Sequence, residues 1–391
     1  MVHGKSLRVL IGTETFPPEV NGAAKFSGRL ASCLIERGHI VRVVAPSRTR
    51  GRGGEYLEEI EGNAVLVYRL PSVKWPGHSW FRFASPLFVS RFCSKIIDDF
   101  QPDVIHYQSH FMIGLSLSKK GRARGVRLVG TNHFMPDNVI HYCEFLPTFL
   151  HKFLWKANWH YASRCFARAD VVTSPTQSAA NFLERYTTIE NVVPISCGID
   201  LSGYTPSFER GSVLLYVGRI TREKQLDVLI RAFAKLNNKD ITLKLVGIGE
   251  EVEPLRALAY SLGVSDRVVF CGYLEEGDLR KTYSEASVFV MPSTAELQSI
   301  ATMEAMASGL PVVGADSMAL PHLVRDGENG YLFSPGDPDD LASKLTAVIA
   351  LDDADFAAMQ RRSLEIVAEH EIDRTIDAFE RLYAGSQVSC N

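Results

Sequence analysis

Short, largely apolar blocks recur along this chain, each followed by a longer stretch with a helical period. Leu7 to Gly12, Ile40 to Ala45, Ala64 to Arg69, Asp103 to Tyr107, Arg127 to Thr131, Asp170 to Thr173 and Val192 to Ile195 read as strands. Their brevity and flanking turn residues favour strand over helix. Ala24 to Arg37 reads as a helix, closed by Gly38. The second half begins the same alternation again. Strand-like blocks at Val213 to Val217, Thr242 to Val246, Val268 to Phe270, Val288 to Met291 and Pro311 to Gly314 enclose helix-like stretches at Leu226 to Leu236, Val252 to Leu262, Gly277 to Glu285 and Ile300 to Ser308. Strands separated by helices predict an α/β fold with two doubly wound parallel sheets.

A chain of 391 residues exceeds what one hydrophobic core serves. The stretch from Ser196 to Gly211, rich in Gly, Ser and Pro, marks the join. The expected domains are 1–197 and 198–370, both Rossmann-like, and 371–391 as a C-terminal helical segment returning to the first domain. In open α/β sheets ligands bind beyond the carboxyl ends of the strands, so the loops there are expected to line a cleft between the two domains.

Composition narrows the class. Hydrophobic residues make up 46% and charged residues 22%, as in folded soluble proteins. A net charge of -3 gives no general attraction to nucleic acid, and no nucleic-acid partner is expected. Seven scattered cysteines without a CxxC pair fit a reducing cytosol and argue against structural zinc or a disulfide framework. The start, MVHGKSLRVLIG, reads as a first strand and not as a secretory leader. No run approaches the roughly 18 apolar residues of a spanning helix. The expected location is cytoplasmic, peripheral on the inner face of the membrane.

The candidate chemistry sits after strands. Glu296 falls in the loop after Val288 to Met291, and Glu304 lies just over one turn inside the helix that starts near Ile300. The free amides of Ser299, Ile300 and Ala301 at that helix start suit a phosphate. Two carboxylates for hydroxyl groups beside an anion-binding helix start are what a nucleotide-sugar requires. Arg219 and Lys224 follow the first strand of the second half, in VGRITREKQLD, where they would neutralise two phosphates. In the first half, Asn21-Gly22-Ala23-Ala24 opens a helix, and Gly22 lets backbone approach a ligand. His133 ends another strand in GTNHFMP. His106, His110 and His141 match no standard metal spacing, so no metal is expected. A GxGxxG fingerprint is missing, which disfavours a nicotinamide-dependent oxidoreductase.

Together PPEVNGAA, NHF, SPTQSAANFL, VPISCGID, YVGRITREKQLDVLI, LVGIGEE, the E-x7-E of AELQSIATME, EAMASGLPVV and DGENGYLF resemble the family 4 glycosyltransferases, enzymes of the GT-B architecture, over roughly residues 8 to 345. That resemblance implies two Rossmann-like domains and a retaining, metal-independent hexosyltransferase. It would move mannose or glucose from a nucleotide-diphosphate sugar and need no cofactor. Carried over by position, Arg219 and Lys224 bind the diphosphate with the amides of Ser299, Ile300 and Ala301. Glu304 would bind the ribose and Glu296 the donor sugar. Gly22 would lie against the diphosphate and the acceptor, and His133 near the reacting carbon. His133, Glu296, Arg219 and Lys224 are thus the expected catalytic set. The transition state would resemble an oxocarbenium ion, with catalysis coming mainly from holding the leaving diphosphate. Family members often read E-x-F-G-I where this chain has Glu296-Leu297-Gln298-Ser299-Ile300, and glycine where Gln225 follows Lys224.

Two basic, aromatic stretches bear on the acceptor. Residues 62 to 97 hold Arg69, Lys74, Arg82, Arg91 and Lys95 among Trp75, Trp80, Phe81, Phe83, Phe88 and Phe92, with no Asp or Glu. Residues 145 to 169 hold Lys152, Lys156, Arg164 and Arg168 among Phe149, Phe153, Trp155, Trp159 and Tyr161. Such stretches suit an anionic membrane surface, and Lys74, Arg82, Lys152 and Lys156 are the expected contacts. A membrane glycolipid is then the expected acceptor. The alternatives are a soluble acceptor, such as a sugar or inositol phosphate, and a non-catalytic partner subunit that only binds nucleotide-sugar.

Overall fold

The structure is a computed structural model. It describes residues 6–19, 21–50, 53–74, 82–135 and 148–386, of which 50 and 148–154 are described in their backbone alone. The chain forms two compact units, Met1–Ser196 with Asp373–Asn391, and Cys197–Ile372. Each is an α/β layer built on its own sheet.

In the first unit the strands are β1 (Arg8–Gly12), β2 (Ile40–Arg50), β3 (Gly54–Ile60), β4 (Asn63–Lys74), β5 (Arg82–Ala84), β6 (Val104–Tyr107), β7 (Arg127–Thr131), β8 (Val171–Ser174) and β9 (Val193–Pro194). Their order is β3-β4-β2-β1-β6-β7-β8-β9, with β5 also on β4. The pairings from β4 through β9 are parallel, as alternation with helices dictates. The β3 and β5 strands run antiparallel to β4 and were not anticipated. Residues Glu61 and Gly62, both at positive φ, make the two-residue turn between β3 and β4. That conformation matches the twist of paired strands. The β3 strand is polar and mostly exposed, so no apolar block announced it.

Helices α1 (Gly22–Glu36), α2 (Val89–Phe100), α3 (Met112–Arg122), α4 (Thr148–Phe166) and α5 (Gln177–Tyr186) cover this sheet. The α1 helix starts where Asn21 accepts a hydrogen bond from the Ala24 amide at 2.9 Å. It ends at Gly38, whose φ of 85° any side chain would resist.

The second unit has six parallel strands, β10 (Val213–Val217), β11 (Thr242–Val246), β12 (Val268–Gly272), β13 (Val288–Met291), β14 (Val312–Ala315) and β15 (Gly330–Phe333), in the order β12-β11-β10-β13-β14-β15. The β15 strand was also unanticipated. Its first residue, Gly330, passes so close to Val312 that a Cβ would meet the Val312 carbonyl oxygen at 1.8 Å. Helices α6 (Leu226–Ala234), α7 (Val252–Ser261), α8 (Glu276–Glu285), α9 (Ile300–Ala307), α10 (Leu320–Leu323), α11 (Pro338–Ala350) and α12 (Asp353–Ala368) accompany it.

The last helix, α13 (Ile372–Tyr383), packs in the first unit. Its Tyr383 hydroxyl meets His106 Nδ1 at 2.7 Å under the sheet. Arg37 pairs with Asp373, Asp377 and Glu380, and His39 Nε2 meets Glu380 at 2.9 Å.

Candidate active site

In the second unit the backbone brings the strand-end loops of β10 and β11 together before any side chain matters. A Cβ on Gly247 would meet the Gly218 carbonyl oxygen at 1.8 Å, and one on Gly249 the Ile220 carbonyl oxygen at 2.0 Å. Only glycine allows this approach. The Ile220 amide then donates to Ile248 O at 2.9 Å, and the Tyr216 hydroxyl donates to Arg219 O at 2.7 Å. Arg219 is thus held by its backbone at the carboxyl end of β10. A 3-10 turn over Arg222–Lys224 follows, closed by Gln225 at a left-handed φ of 49°. That conformation explains why glycine suits this position, and it aims Lys224 back toward the strand end.

Two ion pairs result. The Arg219 guanidinium donates to Glu223 at 3.0 Å, and the Lys224 ammonium is hydrogen-bonded to Glu296. Both pairs are largely buried, with side-chain exposure of 21% and 6% in the first and 12% and 11% in the second. Burial strengthens such charge-assisted bonds relative to an exposed pair. Tyr216 lies within the field of Glu296, Arg219 and Glu223, and burial first of all raises its phenol well above the usual range.

The α9 helix starts at Ser299, whose Oγ accepts from the Thr302 amide at 3.3 Å and from the Thr302 hydroxyl at 2.8 Å. Ser299 has φ -94°, so a side chain is unstrained here and serves as the helix cap. The amides of Ile300 and Ala301 belong to the first turn, which has no intrahelical acceptor for them. Gly309 ends the helix with its amide on Met306 O at 2.9 Å and the Leu310 amide on Ala305 O at 3.0 Å. Glu304 is buried, and its Oε2 accepts from the Tyr283 hydroxyl at 2.9 Å. Tyr283 in turn lies within the fields of Glu304 and Tyr216. Arg219 with Glu223 and Lys224 with Glu296 thus stand together at the carboxyl end of β10, while Glu304 on α9 is held by Tyr283.

Gly22 and His133 lie in the first unit, at the carboxyl ends of β1 and β7. Gly22 is the first residue of α1. The His133 ring packs 4.9 Å from that of Phe26 on the same helix. His133 Nε2 is enclosed without a protein partner, and burial pushes the imidazole down to about 3. It is a neutral hydrogen-bonding group. Two carboxylates not singled out from the sequence stand after β1 in this unit. Glu14 is buried and its Oε1 accepts from the Ile113 amide at 2.6 Å, at the start of α3. Burial pushes Glu14 up to about 7, and likewise Glu19, where Arg69 and Arg48 oppose the shift. The signal available was their place in the loop TETFPPEV after the first strand.

The basic, aromatic stretches divide. Trp155 and Trp159 on α4 pack against Tyr186 and Phe182 of α5, so they belong to the core and not to an outer surface. Arg82 donates to Ser72 Oγ at 2.8 Å and Ser72 O at 3.1 Å, tying β5 to β4, so its guanidinium is not a free outward charge. Lys74 and Lys156 are exposed. The side chain of Lys152, with Trp75, Trp80, Phe81 and His141, lies outside the described residues. Leu87, Phe88 and Phe92 at the start of α2 stand open at 84%, 50% and 40%, beside the exposed Arg91 and Lys95. No described helix is long and apolar enough to cross a membrane.

Two units of this kind, each on its own parallel sheet, are the elements of the GT-B architecture. The family profile for "Glycosyl transferases group 1" matches residues 204–362, and that for "Glycosyltransferase Family 4" matches residues 20–202. The chain belongs to this glycosyltransferase family. It is 26% identical over 388 residues to the alpha-monoglucosyldiacylglycerol synthase of Streptococcus pneumoniae, covering 93% of this chain and 83% of that protein. It is 29% identical over 339 residues to the GDP-mannose-dependent alpha-mannosyltransferase of Mycolicibacterium smegmatis, covering 84% of each. Sucrose-phosphate synthase from Thermosynechococcus elongatus shares the fold with a TM-score of 0.78 at 20% identity, over 97% of this chain and 99% of that one. Anabaena HepE in complex with UDP-glucose does so with a TM-score of 0.75 at 19% identity, over 97% and 100%.

Proposed function

We propose that this chain transfers a hexose, mannose or glucose, from a nucleotide-diphosphate sugar to a membrane glycolipid, with retention of configuration and without a metal. The observation that carries the reading is the cluster of Arg219, Lys224 and Glu296 beside the α9 helix start. Two cations and a helix N-terminus are the complement of a diphosphate. As the glycosidic bond opens, negative charge grows on the leaving phosphate, and groups already aimed there stabilise it without reorganisation. Glu296 would exchange its ammonium partner for hydroxyls of the donor sugar. Glu304, held by Tyr283, would take the ribose hydroxyls. Gly22 and His133 would serve the same reaction from the first unit, which takes the acceptor while the second takes the donor. The HepE complexes with UDP and UDP-glucose support a nucleotide-sugar as donor.

The acceptor reading rests on the open apolar residues Leu87, Phe88 and Phe92 beside Arg91 and Lys95, and on the exposed Lys74 at the end of β4. This combination fits peripheral attachment to an anionic, inner-face membrane surface, where each basic residue contributes about 1 kcal/mol. The relatives named for glucosyldiacylglycerol synthesis point the same way.

Two experiments test this. Thermal shift with UDP- and GDP-sugars identifies the donor, and turnover with that donor is expected to survive EDTA. A protein that binds donor yet releases no nucleoside diphosphate with any acceptor would be a binding subunit instead. Sedimentation with anionic phosphatidylglycerol vesicles at low salt tests the acceptor side. Failure to sediment, with transfer to an inositol phosphate, would establish the soluble acceptor that other relatives' names carry.

A further inference from the structure

The two cations assigned to the diphosphate are each neutralised by the protein itself. Arg219 meets Glu223 within its own loop, and Lys224 meets Glu296 across the sheet. Glu296 has a use in the reaction, because a donor sugar offers it hydroxyls. Glu223 has none. Its side chain is 6% exposed and it sits one turn from Arg219, inside the field that reaches Tyr216. A carboxylate buried against the arginine that should grip an anion is a cost to anion binding, and no donor hydroxyl is needed to explain it.

We propose that Glu223 is a positioning residue that holds Arg219 and, by its charge, weakens the grip on nucleoside diphosphate so that product leaves. The inference rests on the donor reading above. The reason lies in charge accounting during the reaction. In the nucleotide-sugar the second phosphate is esterified and carries a single charge. After the sugar departs, that phosphate becomes terminal and carries nearly one charge more at neutral pH. A fixed carboxylate beside Arg219 therefore repels the product more than the donor. In a largely buried site the repulsion is weakly screened, whereas an exposed carboxylate would make little difference. Arg219 keeps its orientation without ligand through the 3.0 Å bond to Glu223, and on binding it exchanges one oxygen anion for another.

The test compares Glu223→Gln and Glu223→Ala with the native protein, using UDP and GDP as products and UDP-glucose and GDP-mannose as donors in calorimetry. Glutamine keeps an oxygen for Arg219 and removes the charge. The expected result is that Glu223→Gln tightens the nucleoside diphosphate on the order of tenfold, with a smaller gain for the nucleotide-sugar. It should also steepen the salt dependence of product binding. A merely structural brace predicts the opposite split. Glutamine would then behave as native and alanine would weaken product and donor alike, and that outcome overturns the proposal. Equal tightening of both ligands overturns it as well, because the charge would not distinguish them. Lys224→Ala, measured in parallel, separates this from the donor reading. If that variant binds UDP and GDP as the native chain does, the diphosphate assignment falls and Glu223 falls with it. If it loses them while Glu223→Gln shows no selective gain, only the inference on Glu223 is lost.

Discussion

The strand ends of the two sheets solve the problem of buried polarity in opposite ways. In the second unit four of the charged groups form matched ionic pairs, Arg219 with Glu223 and Lys224 with Glu296. In the first unit they stand without counter-charges strong enough to hold them ionised. Burial pushes Glu14 up to about 7, His110 down to about 4 and His133 down to about 3. Gln108 Nε2, Ser109 Oγ and His110 Nδ1 are enclosed there without a protein partner. Burial against apolar neighbours favours the neutral form, while a close opposite charge favours the charged one. On the proposed reading, one lining takes a diphosphate and the other hydroxyl groups. The same fold thus acquires two chemistries through the few residues that follow its strands.

The comparison can be broken most severely in the second unit. Replacing Arg219 or Lys224 with alanine removes a charge-assisted contact worth about 1.5–3 kcal/mol. The rate of transfer is expected to fall on the order of 10- to 100-fold or more in kcat/KM. Near-native rates in both variants would refute the phosphate role.

In the first unit the expected signature is a pH dependence of stability. Glu14 carries a value of about 7 in the fold against 4.5 for the exposed group. Its contribution is full below 4.5 and is lost as pH rises through about 7, because the folded state holds the proton longer. Native stability should decline across that window relative to Glu14→Gln, by on the order of 2 kcal/mol. Thermal unfolding at about pH 5 and about pH 8 measures it. A gap between the two proteins that does not change with pH would mean that Glu14 is ionised and satisfied.

Tyr283→Phe sharpens the comparison from the ionic side. It strips Glu304 of a buried donor at a cost of about 1–3 kcal/mol. The expected outcome is a raised donor KM that depends on the ribose: UDP or GDP should lose affinity while the 2′,3′-dideoxy analogue changes little. Equal loss for both would break the link from Tyr283 through Glu304 to the sugar. Smallest of all is the effect of pH on His133. With its imidazole already neutral, His133→Asn should scale the rate by one constant factor from about pH 5 to about pH 8. An inflection near neutrality that disappears in the variant would show a titrating, charged imidazole.

Some of this was legible before folding. The apolar blocks marked most of the strands, because a strand buried on both faces must be apolar over a short length. Arg219, Lys224, Glu296 and Glu304 stood out by their place after strands. Glu223 did not, since a carboxylate four residues beyond an arginine is the ordinary pattern of an exposed helix face. Tyr283 was hidden within a helix most of whose other residues are polar. The hairpin strand β3 escaped because its pattern GEYLEEI is polar, and only its pairing with β4 makes it a strand. The aromatic residues of α4 misled for a related reason. Composition shows that tryptophans are present but not that Trp155 and Trp159 turn inward onto α5.

By itself the sequence determined the alternation of strand and helix, the helix ends at Gly38 and Gly309, and the residue types available at each strand end. These depend on local periodicity and on backbone preferences a few residues long. The tertiary structure alone decided the partner of each charge. Lys224 finds Glu296 across 72 positions of sequence because β10 lies beside β13 in the sheet. It likewise decided which carboxylates are ionic and which are pushed toward neutrality, since that balance is set by burial and by neighbours brought from elsewhere in the chain.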